Sequence, residues 1–195
     1  MSRLLLILFL FPALLQAQDF KAGLRFGGNG SQVNGDGLEG FDKAGVLAGM
    51  FVKRDFSEKV SAQMEMIFIQ KGSRMPTDDY NQYYLMRLGY IEVPVLVNYH
   101  LNKKFGVFGG PSFGVLISNE EKTHAGVLVD PPPFKKYEVA YHAGLLYTLS
   151  DNWFFDLRYS HSITTIRPYI AGYTTFFDKG QYNVLIEFSL MYQFN

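Results

Sequence analysis

The chain has no cysteine among its 195 residues. That excludes disulfides, thiolate metal sites and a lipidated N-terminal cysteine. It has no excess of either charge, with 18 Lys and Arg against 18 Asp and Glu and no basic stripe or acidic tail. Nothing therefore points to a nucleic acid or a polyanionic partner. The apolar run from Leu4 to Phe11 is too short to cross a bilayer as a helix. The 4 His are scattered, and Asp78-Asp79 and Glu120-Glu121 lie in long loops without the spacing of a zinc or calcium site. These acids read as solvated loop charges, and no metal or cofactor is expected.

What the chain has instead is strand formers and small residues together: 18 Phe, 13 Tyr and 19 Gly. Its first residues, "MSRLLLILFLFPALLQAQ", place Arg3 before the apolar run and small residues near Ala17. That is the pattern of a secretory signal peptide over 1–17, leaving one mature domain over 18–195. Beyond it, period-two segments recur between Gly, Asn, Asp, Pro and Ser clusters. Eight are expected, near 20–30, 43–54, 59–72, 87–101, 105–118, 136–149, 153–165 and 181–194. Their connections alternate between short ("DFSE", "NKK", "SDN") and long ("SRMPTDDYNQYYLM", "NEEKTHAGVLVDPPPFKK"), the loop rhythm of an outer-membrane barrel. About twelve residues at roughly 3.3 Å each, tilted about 45°, project to about 28 Å and cover an apolar band of about 25 Å.

The two faces differ sharply. In the last segment Val184, Ile186, Phe188, Leu190, Tyr192 and Phe194 alternate with polar residues, and the other segments sort likewise, with Arg87 the one clear charge on the apolar side. The opposite side carries Lys21, Arg25, Lys53, Lys71 and Arg158 against Glu65, Glu92, Glu138, Asp156 and Glu187, interleaved with glycines. An exported soluble barrel of lipocalin type, with the apolar face inward around a ligand, is the alternative. Room decides between them, because an eight-stranded interior holds only its packing residues and one small ligand, far less than the bulky side chains of this apolar face. Turning the charged face to lipid costs about 2–4 kcal/mol per Lys or Arg at the midplane. The fold class expected is thus all-β: an eight-stranded antiparallel transmembrane up-and-down barrel in the bacterial outer membrane, surrounded by lipid and closed on a paired ionic core.

Several stretches resemble the PorT-like outer-membrane β-barrel family. They include "FKAGLRFGGNGSQV", Gln70-Lys71-Gly72, Glu92-Val93-Pro94, Gly109-Gly110-Pro111, Asp156-Leu157-Arg158-Tyr159 and the final strand. The resemblance implies an integral outer-membrane barrel. It also implies an accessory or scaffold in a cell-envelope complex, with protein secretion as one setting. The aromatic Phe194 near the C-terminus is the kind of residue that barrel-insertion machinery reads.

Three groups of residues are candidates for more. Glu92, with Glu65, Glu138 and Glu187, reads either as a proton or cation site or as a partner of Arg25 or Arg158, with Pro94 marking a bulge or bend. Ser160-His161-Ser162 invites a hydrolase reading, but period two turns His161 to lipid and both serines inward, so no catalytic residue is assigned. Tyr80, Tyr83 and Tyr84 in one loop, and Pro131, Pro132, Pro133 and Phe134 in another, are either partner-binding or simply cover the barrel mouth.

Overall fold

The computed structural model describes residues 20–38, 40–77, 82–124, 126–127, 132–168 and 180–194. The leader expected over 1–17, Asp78, Asp79, Tyr80 and Pro131 lie outside them. Nine strands follow in order: β1 (Phe20–Asn34), β2 (Lys43–Asp55), β3 (Val60–Met75), β4 (Tyr84–His100), β5 (Phe105–Thr123), β6 (Gly126–Val127), β7 (Tyr137–Thr148), β8 (Trp153–Ser162) and β9 (Tyr182–Gln193). All pairings are antiparallel, and β4–β5 together with β1–β9 close eight of the strands into a barrel, with the two-residue β6 a short extension on β5.

The short connections share one construction. Residues 56, 101 and 149 each donate a backbone N–H to the residue four ahead, at 2.9 Å in all three cases. Asn102 Oδ1 accepts from Lys104 N and Phe105 N at 2.9 Å each, which is why Asn sits in that turn. The chain ends also lie here, where Phe194 N donates to the Ala22 carbonyl at 2.8 Å. This is the periplasmic end.

At the opposite end the strands outrun the sequence reading. β1, β3, β4 and β5 continue through polar residues, with register pairs such as Arg74↔Leu85 and Arg87↔Glu120. Apolar alternation stops where the bilayer stops, but the hydrogen-bonded ladder continues into water. β8 ends earlier than expected, at Ser162.

Outward side chains are apolar from strand to strand: Phe188 is 51% exposed and Val97 57%, while Glu187 is 0% exposed. A soluble barrel with an apolar cavity is therefore not what this chain forms. Aromatic rings gather at both ends of the outer face, Trp153 with Tyr192 and Phe26 at one, Tyr141 with Tyr159 and His161 at the other.

Two corrections concern β4. Pro94 pairs with Ser112 in unbroken register, and the irregularity falls instead between Gly89 and Tyr90, opposite Leu116 and Ser118. The extra residue, Ile117, inverts the in-out parity of β5 beyond it, so Glu121 points inward and is buried.

Candidate functional site

The interior is filled in layers. Near the periplasmic end Phe51, Leu96, Phe108, Leu146 and Met191 form an apolar layer. Gly23 and Gly144 leave room for it, since a Cβ at either would run into the ring of Phe51 or Phe108. Apolar residues were not expected inside, yet their positions follow the same parity as the charged ones.

Above them sits a sealed ionic layer. Arg25 donates to Glu65 at 2.6 Å, Glu187 at 3.0 Å, Asp156 at 3.2 Å and Ser189 at 2.8 Å. Arg158 grips Glu65 with both terminal nitrogens, at 2.9 and 3.1 Å, reaches Asp156 at 2.9 Å, and stacks 4.9 Å from the Phe108 ring. Forked guanidinium geometry suits this double grip.

A second cluster lies toward the cell exterior. Lys71 Nζ sits 2.8 Å from Glu138 and 2.9 Å from Glu92, so Glu92 and Glu138 pair with Lys71 rather than with Arg25 or Arg158. Ser112 donates to Glu92, and His142 Nε2 lies 2.7 Å from Ser112 Oγ and 3.1 Å from Glu92. His142 Nδ1 is 3.9 Å from Glu187, so this imidazole bridges the two clusters. With the serine proton spent on Glu92, Nε2 acts as a donor, the reverse of what a general base for Ser112 requires. All three side chains are buried.

The even balance of five bases and five acids is not kept inside. Lys21 is half-exposed and pairs with Asp55 at 2.7 Å, and Lys53 lies 3.6 Å from the same carboxylate at the periplasmic mouth. That leaves Arg25, Lys71 and Arg158 facing Glu65, Glu92, Glu138, Asp156 and Glu187. His142 touches one of the surplus acids and approaches another.

A further apolar layer, including Val33, Ile69, Met86, Leu88 and Ile166, separates this core from the outer mouth. There Arg167 binds Glu121 through two nitrogens at 2.7 and 2.9 Å, donates to Gln181 at 2.6 Å, and stacks 4.5 Å from the Phe134 ring. Burial works against the Arg167 cation, but its bonds to Glu121 outweigh it and hold the pKa above the ordinary value. The Tyr84 hydroxyl donates to Glu121. Glu121 is thus not a solvated loop charge. Tyr84 and Phe134 are engaged within the barrel mouth, while Pro132 and Pro133 are exposed and Tyr83 borders a cavity at the rim. Arg167 had no signal in the sequence, because it lies beyond β8, and β5 parity read without the bulge sends Glu121 the wrong way.

His161 faces outward, its ring 5.7 Å from Tyr141 and 6.2 Å from Tyr182, while Ser160 and Ser162 are buried on the inner side. No group of three or more metal-ligating side chains occurs among the described residues.

Known proteins were compared with this geometry. Ail, the attachment invasion locus protein of Yersinia pestis, superposes with a TM-score of 0.51 at 16% identity, over 90% of this chain and 99% of Ail. Neisserial surface protein A does so with a TM-score of 0.54 at 10% identity, over 90% of this chain and 97% of its own. Likenesses at these identities show the fold. No curated protein matches the chain in sequence. Residues 16–167 match the outer membrane protein beta-barrel domain family. The chain belongs to that family and is a closed eight-stranded barrel of the bacterial outer membrane.

Proposed function

We propose that the protein is a non-enzymatic, PorT-like scaffold that presents its outer loops to partners in an envelope complex, protein secretion being one setting. The observation that carries this reading is the filled interior. Stacked apolar and ionic layers occupy the barrel from Phe51 to Arg167, which leaves no open path for a solute. Function then falls to the surface. The interior ions lock the strands, and the loops bearing Tyr83, Pro132 and Pro133 provide the contact surface. Two Ser–His groupings are unsuited to hydrolysis: Ser112 and His142 are sealed, and His161 is separated by the barrel wall from its flanking serines.

Affinity purification from native outer membranes, with the loops intact and with 128–134 deleted, tests this. The scaffold reading expects a defined envelope partner in fixed ratio that is lost with the loop. Unchanged partner recovery would remove that loop, and hydrolysis of phospholipid or lipid A by the purified barrel would overturn the non-enzymatic reading.

A further inference from the structure

Of the Gln70-Lys71-Gly72 stretch, Lys71 serves the barrel interior and Gly72 shapes the outer rim. Pairing between β2 and β3 stops at Leu47↔Ile69, whereas β3 continues to Met75 against β4. Above that level no ladder pair joins the two strands, although Gly45 still lies against the Gln70 carbonyl, and a cavity of about 370 Å³ opens, lined by Lys43, Arg74, Thr77, Tyr83, Tyr84 and Arg87 among others, with no acid among the described residues that line it.

Three cations therefore share one recess. Arg87 has Glu120 at 3.1 Å, but Lys122 claims the same carboxylate at 2.6 Å. Arg74 is exposed and has no ion pair among the described residues. Lys43 is only 3% exposed, and among the described residues its ammonium bonds to nothing but the Ala44 carbonyl, at 3.4 Å. A buried ammonium with no counter-ion is costly unless something supplies the charge.

The fold accommodates this arrangement at Gly72. Its φ is +134°, a region that side chains avoid, and a Cβ there would stand 3.1 Å from Lys43 Cδ and closer still to the Met86 carbonyl. The Lys43 stem lies against the backbone where no side chain stands. Arg74 and Arg87 both sit on the outward parity of their strands, on the same side as Val95 and Val97 but at the outer ends. The recess is thus placed at headgroup level of the outer leaflet, with Tyr83 and Leu85 as its less polar wall.

We propose that this rim cavity binds a phosphate group carried by an outer-leaflet lipid headgroup, held by Lys43, Arg74 and Arg87. Forked guanidinium donors and one ammonium match the three free oxygens of a phosphate monoester, and basic pockets at membrane borders take such headgroups.

The test uses the whole barrel in nanodiscs of phosphatidylcholine doped with lipid A, phosphorylated or dephosphorylated, analysed by native mass spectrometry. Wild type is expected to leave the disc carrying one phosphorylated glycolipid and none of the dephosphorylated form. Arg74→Gln/Arg87→Gln, with heat-dependent gel migration unchanged to show that it folds, is expected to lose about tenfold or more of that occupancy. Lys43→Gln should lose it as well. Equal retention by wild type and the double variant, or equal retention of both glycolipids, overturns the proposal. Inorganic phosphate that binds these residues, without any lipid retained, overturns the lipid source and assigns the site to a soluble phosphate.

Discussion

Arg158 and Arg87 are the same residue type on one barrel, and they do opposite things. Arg158 is sealed in the middle, gripping Glu65 and Asp156 through bonds of 2.9 to 3.1 Å. Arg87 stands at the rim with a half-exposed side chain and shares a single carboxylate with Lys122. The difference teaches that an arginine turned into the barrel is committed to the fold, whereas one turned outward at the rim keeps a single shared partner. The side of the wall a residue faces, not its type, separates the two.

The comparison breaks most readily at its buried end. Arg158→Ala leaves buried Glu65 and Asp156 with only Arg25 to share and is expected to cost about 3–5 kcal/mol, measured by urea unfolding of the barrel in lipid vesicles. A change below about 1 kcal/mol would mean the interior ions are dispensable. Phe188→Arg probes the same barrel from its lipid side, with an expected loss of about 2–4 kcal/mol if the residue sits near the midplane. Little loss would place that face in water.

Glu121→Ala sharpens the middle ground. It removes the partner of Arg167 at the mouth, and the expected cost is about 1–3 kcal/mol. Amide hydrogen exchange should show it concentrated at Ile166, Gln181 and β5's outer end; a uniform increase over all strands would contradict a local role. Arg87→Ala is expected to change the unfolding free energy by no more than about 0.5 kcal/mol. A loss as large as that of Arg158→Ala would erase the distinction between the two regions.

Much of this was legible because period two carries both fold and orientation. The inward set of Arg25, Glu65, Glu92, Glu138, Asp156, Arg158 and Glu187 follows from counting every second residue, and all seven are buried together. His142 and Phe108 obey the same parity, yet a lone histidine and an inward ring carry no motif. Who pairs with whom was not legible, since Lys71 on β3 reaches Glu138 on β7 across the lumen and register fixes neighbours only within the wall. Glu121 was hidden by one extra residue, Ile117, that reverses every side chain beyond it. The strand ends were underestimated for a simpler reason: hydropathy marks the bilayer, and β3 and β5 continue past it.

The most direct measurement exploits the single tryptophan of the chain. With Trp153→Phe and Phe188→Trp in one variant, fluorescence is compared in bilayers with and without lipids brominated at mid-chain. A barrel with its ions locked inside and its apolar side chains turned to lipid requires strong quenching by the bromines. Emission that ignores the brominated lipid would place residue 188 inside the protein and contradict the outer-membrane architecture at its root.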